Sequence, residues 1–324
     1  MMNRRHMMGA LGATAFPLAA PAWAEDYPVK PIRIVVPLPP GSPPDVLARL
    51  VSERLQTAWK QPVIVENRPG ATGMIGLEAV AKSPPDGYTV GVMFLTHTVL
   101  PALFGKVPYD TVGSFAPIAN LVWLYNVLVV PPGVPARSVR ELIDLSHGQP
   151  GKLSYGSGGN GSPAHLIGES FRQLTKTDLL HIPFKGPAEA VQGLLGGHVS
   201  AMFGTASSAV PMVRGGKLRA LAVTSPTRLA ALPEVPTLIE SGITGFEMKE
   251  WEGIVAPAGT PRAIIDKWSQ ELARIMALPE IRERLGELGM TPAAPNSPAE
   301  FSALVRGELD HWTRFIKTSG IKTD

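Results

Sequence analysis

The chain has no cysteine and little charge. None of its 324 residues is Cys, charged residues make up 18 % and aromatic residues 6 %. The absence of thiols excludes disulfide scaffolds, thiolate zinc sites, iron–sulfur clusters and cysteine nucleophiles. The formal net charge is only +3. The sequence has no run of Lys or Arg of the kind that nucleic-acid binding needs, so we expect no nucleic-acid partner.

Glycine and proline, by contrast, are abundant. There are 33 of each, and hydrophobic residues make up 44 %. Together Gly and Pro form about a fifth of the chain, against a usual share of roughly 12 %. The apolar content is enough for one or two hydrophobic cores, which argues against wholesale disorder. At roughly 100–200 residues per domain, the length indicates two domains.

Residues 1–24 are predicted to be a secretory signal. Arg4 and Arg5 give a basic start, an apolar stretch follows over residues 7–22, and Ala22-Trp23-Ala24 matches a cleavage site. The paired arginines also fit the twin-arginine route. The apolar stretch is shorter than the ~20 residues of a membrane span. Removing residues 1–24 takes away two arginines and no acid, so the net charge falls from +3 to +1.

The rest of the chain alternates between strand and helix patterns. Short β-branched runs predict strands, and apolar residues at helical spacing predict helices. The first set has strands at 32–36, 63–66, 88–95 and 118–123, with helices at 45–59, 74–82 and 98–104. The second has strands at 126–130, 153–156, 179–183, 199–204 and 218–224, with helices at 138–146, 163–174, 187–196 and 207–214. Such alternation predicts an α/β fold with parallel, doubly wound sheets.

The C-terminal part leaves two topologies open. It reads as a strand at 250–256 followed by helices at 264–276, 280–288 and 298–316. In one arrangement the chain builds a first sheet, crosses to a second, and returns to the first. The crossings would then lie near 123–126 and 246–251. In the other, two domains simply follow each other.

Ligands of open α/β sheets bind where strands end and helices begin, because helix N-termini favour anions. After the strand at 32–36 come Pro40, Gly41, Ser42 and Asp45. Ser42 and Asp45 have capping-box spacing. The two prolines between them lack an N–H, so the loop's candidate donors are the amides of Gly41, Ser42 and Asp45.

A glycine-rich segment follows the strand at 153–156. Gly156, Gly158 and Gly161 spell G-x-G-x-x-G between a strand and a helix, which is typical of a dinucleotide site. An exported Rossmann-type oxidoreductase is therefore one alternative. The position about 20 residues further on is His181, however, where that site would need an acid.

The same segment can also hold a carboxylate. Glycines allow the backbone to approach a ligand closely, Ser157 and Ser162 add hydroxyls, and Ser162 begins a helix. Other candidates in loops after strands are Thr96 and Thr205, with Lys185 as a nearby cation. Any of these could equally lie in an ordinary turn.

Catalytic patterns are missing. The sequence contains no H-E-x-x-H, no G-x-S-x-G and no complete P-loop. His165 and Glu169 lie one helical turn apart, but two residues make a poor metal site, and His165 fits a core or capping role as well. We therefore expect that the protein is not an enzyme and that it has no catalytic residue, no metal and no cofactor.

Six segments spread over almost the whole chain carry a family resemblance. They are residues 27–37 (YPVKPIRIVVP), 65–71 (VENRPGA), 85–89 (PDGYT), 150–157 (PGKLSYGS), 216–224 (GKLRALAVT) and 256–261 (APAGTP). Together, in this order, they resemble the substrate-binding proteins of tripartite tricarboxylate transporters, known as the Bug family.

The resemblance implies a fold and a function. The fold is that of a type II periplasmic binding protein, two doubly wound α/β domains joined by a hinge. Residues 25–123 plus 251–324 would form domain 1, and residues 124–250 domain 2. The implied function is periplasmic: the protein captures a small organic carboxylate and delivers it to the membrane permease subunits of a tripartite transporter. A receptor that serves a membrane sensor kinase is a further alternative.

The resemblance also implies which loops contact the ligand. One contact region corresponds to Pro40, Gly41, Ser42 and Asp45. The opposing one corresponds to Ser157, Gly158, Gly161, Ser162 and His165. The chain departs from the family pattern at Ser42 and at Thr72, where glycines are common. Ser42 adds bulk and a hydroxyl, so a relative's ligand cannot simply be carried over.

Overall fold

The computed structural model describes residues 27–244, 246 and 248–319. The predicted signal, residues 1–24, lies outside this part of the chain. Among the described residues, no helix combines the length and the apolar composition that crossing a membrane requires.

Strands and helices alternate along the chain. The first part contains β1 (Ile32–Val36), α1 (Pro43–Trp59), β2 (Val63–Asn67), a 3₁₀ turn (Ala71–Gly73), α2 (Met74–Ala81), β3 (Thr89–Phe94), α3 (Thr96–Phe104) and β4 (Phe115–Leu124). The middle contains β5 (Asn126–Val130), α4 (Val139–Gly148), β6 (Leu153–Ser157), α5 (Pro163–Thr175), β7 (Leu179–Pro183), α6 (Pro187–Leu195), β8 (Ala201–Thr205), α7 (Ala206–Arg214) and β9 (Arg219–Val223). The last part contains β10 (Glu250–Pro257), α8 (Arg262–Met276), α9 (Pro279–Glu287), β11 (Met290–Pro292) and α10 (Pro298–Ser319).

The strands form two sheets. The first has six strands in the order β11-β4-β10-β3-β1-β2, and the second has five in the order β7-β6-β8-β5-β9. The chain therefore leaves the first sheet after β4, builds the second, and returns to the first with β10. This is the returning arrangement of the two considered from the sequence. The exact domain boundaries, 25–123 plus 251–324 and 124–250, stay a prediction.

The α/β fold class is confirmed, and the sheets, expected to be parallel, contain both parallel and antiparallel strand pairs. β1 runs parallel to β2 and β3, and β6 parallel to β7 and β8. β5 and β10 are the first strands after each crossing of the chain between the sheets, and we call them the crossing strands. They run antiparallel to their neighbours: β5 to β8 and β9, and β10 to β3 and β4. A parallel neighbour needs a crossover connection, usually a helix. Only Tyr125 separates β4 of the first sheet from β5 of the second, so the chain enters the second sheet without a crossover helix.

Apolar side chains at helical spacing hold the helices on the sheets. In α1, Leu47, Val51 and Leu55 recur every four residues, and all three are fully buried. They belong to the same hydrophobic cluster as Trp268 of α8. The helices thus pack against the sides of the sheets and leave the ends of the strands open to form a site.

Candidate functional site

A cavity of about 180 Å³ lies between the two sheets. Thr72, Phe94 and Thr96 line it from the loops and strand ends of the first sheet, and Gly158, Ser162 and Thr205 from those of the second. The crossing strands contribute Asn126, Glu250 and Glu252. The cavity is therefore built by both halves of the molecule.

Five helices begin at this cavity. Its lining includes the first residues of α1, α3, α5 and α6, namely Pro43, Thr96, Pro163 and Pro187, together with Thr205, which precedes α7. The N-terminus of a helix carries a partial positive charge and unpaired N–H groups. Several such ends around one space favour an anionic group without a side-chain cation.

Hydroxyl groups stand at two of these helix starts. The Oγ of Ser162 accepts a weak hydrogen bond of 3.4 Å from the N–H of His165 and so caps α5. Thr205 Oγ1 and Ser208 Oγ lie 2.9 Å apart, and both residues line the cavity. These hydroxyls can donate to a ligand oxygen at the edge of the site.

The β1–α1 loop is held by Asp45. This carboxylate is 2 % exposed and accepts hydrogen bonds from the Gly41 N–H at 2.9 Å, from Asn67 Nδ2 at 2.9 Å and from the Arg49 guanidinium. Burial opposes its ionisation, but the hydrogen bonds from Arg49, Gly41 and Asn67 outweigh burial and lower the pKa of Asp45. Ser42 Oγ donates to the Pro39 carbonyl at 2.7 Å, so the predicted capping box does not form.

The glycine-rich loop uses most of its amides internally. The N–H of Gly159 donates to Ser157 Oγ, that of Gly161 to His165 Nδ1, and that of Ser162 to the Gly159 carbonyl. A dinucleotide site needs such amides to be directed at a pyrophosphate. This geometry therefore disfavours the Rossmann alternative.

His165 and His181 form a stacked pair behind this loop. Their ring centroids are 4.0 Å apart with an interplanar angle of 10°, and His181 Nε2 lies 2.7 Å from Ser157 Oγ. Burial lowers the pKa of His165, and burial together with the neighbouring His165 lowers that of His181 to about 3. Both rings are therefore neutral at physiological pH, and His165 acts here as an acceptor that shapes the loop.

A larger cavity of about 560 Å³ lies elsewhere, lined among others by Tyr125, Met248, His311 and Trp312. Its residues come mainly from α10 and from the segment before β10. No helix start is found among the described residues of its lining, so the smaller cavity is the better candidate site for an anion.

Comparison with known proteins identifies the family of the chain. Residues 47–321 match the model of the tripartite tricarboxylate transporter family receptor. The chain belongs to this family. Among its curated relatives is Protein BugT of Bordetella pertussis, which is 34 % identical over 329 residues, covering 99 % of each chain.

Solved structures of similar proteins include two receptors with bound carboxylates. Rpa4515 of R. palustris, solved with adipate, is 32 % identical with a TM-score of 0.85, covering 92 % of this chain and 99 % of its own. MatC of Rhodopseudomonas palustris, solved with malate, is 32 % identical with a TM-score of 0.79, covering 89 % and 99 %. The family resemblance inferred from the sequence is thus confirmed.

In this receptor chain, the structure brings four of the predicted site residues together around the cavity: Thr96, Gly158, Ser162 and Thr205. The other eight lie outside the lining formed by the described residues: Pro40, Gly41, Ser42, Asp45, Ser157, Gly161, His165 and Lys185. Several of these shape the two loops, as described above. Lys185 is exposed, and its N–H donates to Glu189 at 2.9 Å. The roles of all twelve in binding stay predictions.

The sequence analysis missed three polar residues of the receptor's cavity: Asn126, Glu250 and Glu252. Glu250 and Glu252 alternate with apolar residues in an otherwise buried strand, E-W-E-G-I-V-A-P. Acids at alternate positions of a buried strand were a usable signal, because ionisable residues are seldom buried without a partner. Their convergence with Asn126 depends on both chain crossings, which no local pattern shows.

Proposed function

We propose that this protein is a periplasmic, non-catalytic receptor that binds a small carboxylate in the cavity between its sheets. In this proposal it then delivers the ligand to the membrane permease of a tripartite tricarboxylate-type transporter. The observation that carries the proposal is the convergence of five helix starts from both halves of the molecule on one cavity. Membership of the receptor family and the adipate and malate complexes of similar proteins support it.

Thermal unfolding of the chain without residues 1–24 tests the binding step. The panel contains tricarboxylates, dicarboxylates, amino acids and aromatic acids, each compared with its uncharged primary amide. A true ligand at 100 times its Kd adds about 2.7 kcal/mol to the free energy of unfolding, and its amide adds little. A chain that no acid stabilises, or that acid and amide stabilise equally, would contradict the proposal.

Export and delivery need separate experiments. We expect the protein in the periplasmic fraction, with a mature N-terminus at Glu25 by mass spectrometry. Disrupting its gene should abolish uptake of the radiolabelled ligand found in the panel. Normal uptake together with a lost transcriptional response to that ligand would instead favour the sensory role.

A further inference from the structure

Two acids and an amide form one cluster in the wall of the cavity. Glu250 and Glu252 are two residues apart on β10, so their side chains leave the same face of the strand. Asn126, the first residue of β5, donates from Nδ2 to Glu250 Oε1 at 2.5 Å. All three residues line the cavity between the sheets. The cluster therefore joins the two crossing strands at the binding site.

The cluster contains acceptors without a donor among the residues that the structure describes. Within the described part of the chain, Glu252 Oε2 and Asn126 Oδ1 have no hydrogen-bond partner. Glu252 is 4 % exposed and Asn126 only 1 %. A buried acceptor without a donor costs free energy, and buried polar atoms nearly always have a partner. Two orphaned acceptors beside a second carboxylate indicate a ligand group rich in donors.

The cluster also lacks a neutralising cation among the described residues of the cavity wall. The described residues that line the cavity include no Lys, Arg or His. Across the first sheet, Glu252 is registered with Phe94 of β3 and Val122 of β4, and Glu250 with Leu124. Glu252 therefore has apolar neighbours on both flanking strands, and Glu250 has one on β4.

The titratable groups on the neighbouring elements are engaged elsewhere. His97 of α3 turns Nδ1 to the backbone of Phe94, and burial lowers its pKa to about 4, so it stays neutral. Lys249 places Nζ 4.2 Å from the centroid of the Trp123 ring. Glu308 of α10 accepts from Trp312 Nε1 at 2.8 Å.

Without a cation, the cluster resists ionisation. Burial raises the pKa of Glu250 to about 7. Burial, together with the charge of Glu250, raises the pKa of Glu252 well above its usual range. A positive group placed between the carboxylates would favour their ionised forms and make them release protons.

The cavity thus has two electrostatically different walls. Helix N-termini line one part of it, and the Glu250–Glu252–Asn126 cluster lines another. Resting on the proposed function, we infer that the ligand carries a protonated amine besides its carboxylate, and that the Glu250–Glu252–Asn126 cluster binds this ammonium group. An ammonium has three N–H donors and one positive charge, which match the orphaned acceptors and the acid pair.

Calorimetry with matched compounds tests this inference. Succinate is compared with β-alanine and glutarate with γ-aminobutyrate, since in each pair an ammonium replaces one carboxylate on the same carbon chain. We expect at least one amino acid to bind ten times or more tighter than its matched diacid. Binding of the diacids alone would overturn the inference and leave the proposed function standing. Binding of neither series would overturn the inference, and the proposed function would fall as well only if no acid of the thermal panel stabilised the chain.

Substitutions separate the charge of the cluster from its shape. Glu252→Gln and Glu250→Gln keep the size of the side chains and remove the negative charge. Each should weaken the amino acid at least tenfold and leave the diacid unchanged or tighter. Glu308→Gln, at a half-buried acid with a raised pKa outside this cavity, is the control and should bind like the wild type. Equal amino-acid affinity in all three variants would overturn the inference.

Proton linkage gives an independent readout. In buffers of different ionisation enthalpy near neutral pH, the amino acid should release protons on binding, and the Glu250→Gln/Glu252→Gln double variant should not. Proton uptake would show that Glu250 and Glu252 are protonated and donate to a second carboxylate of the ligand, which contradicts the inference. Equal stabilisation by calcium or magnesium chloride alone would assign the cluster to a metal ion and overturn it as well.

Discussion

At the scale of single residues, Asp45 shows how a predicted ligand contact acts within a loop. Both of its carboxylate oxygens are engaged, by Arg49, by Asn67 Nδ2 and by the Gly41 N–H. Asn67 Nδ2 also donates to the Leu38 carbonyl at 3.0 Å, and Leu38 lines the cavity. The contacts indicate that Asp45 fixes the β1–α1 loop in the conformation that brings Leu38 and α1 to the site.

Asp45→Asn should therefore destabilise the receptor. The variant removes a buried charge that three donors share, and losing a charged hydrogen-bond partner costs about 1–3 kcal/mol. The pKa of Asp45 is lower in the folded than in the unfolded state. The stability that Asp45 contributes is therefore complete above the unfolded-state pKa and is lost as the pH falls through the folded-state pKa. Urea unfolding should show a clear difference from the wild type at neutral pH and a smaller one in acid.

Asp144→Asn is the matched control. Asp144 also pairs with an arginine one helical turn away, but both side chains are largely exposed. Exposed pairs of this kind contribute about 0.3–0.5 kcal/mol. Equal losses in the two variants, or a loss in Asp45→Asn that does not change with pH, would contradict the role given to Asp45.

At the scale of elements, α5 combines a helix cap with a place at the cavity. Ser162 accepts from the His165 N–H and also lines the site. Ser138 caps α4 in the same way, accepting from the Glu141 N–H at 3.1 Å, but lies outside the cavity lining formed by the described residues. Ser162 and Ser138 are thus two serine caps of which only Ser162 lies at the proposed site.

Ser162→Ala and Ser138→Ala should separate capping from binding. Loss of a serine cap costs about 0.5–2 kcal/mol of stability, so both variants should unfold at lower urea. Only Ser162→Ala should also weaken ligand binding, by roughly 0.5–2 kcal/mol, because it removes one hydrogen-bond donor from the site. Calorimetry with the acid of the panel that binds most tightly measures this loss of affinity. Unchanged affinity in Ser162→Ala would leave Ser162 as a cap alone.

The elements themselves were well predicted from the sequence, because local periodicity determines them. The buried runs 32–36 and 126–130 match β1 and β5, and the predicted helix 163–174 differs from α5 by one residue. β11 was missed because three residues carry too little pattern. The strand directions at the crossings were also missed, since they depend on the connection between two sheets.

The site was predicted only where chain position indicates it. Thr96 and Ser162 follow strands, Thr205 ends one, and the structure places all three around one cavity. Glu250 and Glu252 lie inside a strand, and they reach the cavity because β10 inserts between β3 and β4. Such an insertion is a property of the whole sheet, and no window of sequence contains it.

At the scale of the whole molecule, the two halves meet at Gly161. This residue has a φ of +77°, and a Cβ built on it would overlap the Leu103 side chain of α3. Gly161 belongs to the loop before α5, whereas α3 packs with the first sheet. The absence of a side chain at Gly161 therefore lets the loop of one half approach the helix of the other.

Gly161→Ala should consequently weaken ligand binding as well as destabilise the fold. The left-handed φ costs roughly 1–2 kcal/mol for alanine. Gly197 lies in the same half at a φ of +72°, and no described atom beyond its chain neighbours lies within 4 Å of a Cβ built on it. Gly197→Ala should therefore lose only the stability that the left-handed φ costs. At Gly161 the added methyl also pushes against Leu103, and overpacking of this kind costs about 1–3 kcal/mol. Because the overlap opposes the approach of the halves around the ligand, we expect calorimetry to show about a tenfold loss of affinity for Gly161→Ala and none for Gly197→Ala.

Leu103→Ala, added to Gly161→Ala, should recover most of the affinity. Equal affinities in the two glycine variants would mean that ligand binding does not require the halves to approach at Gly161.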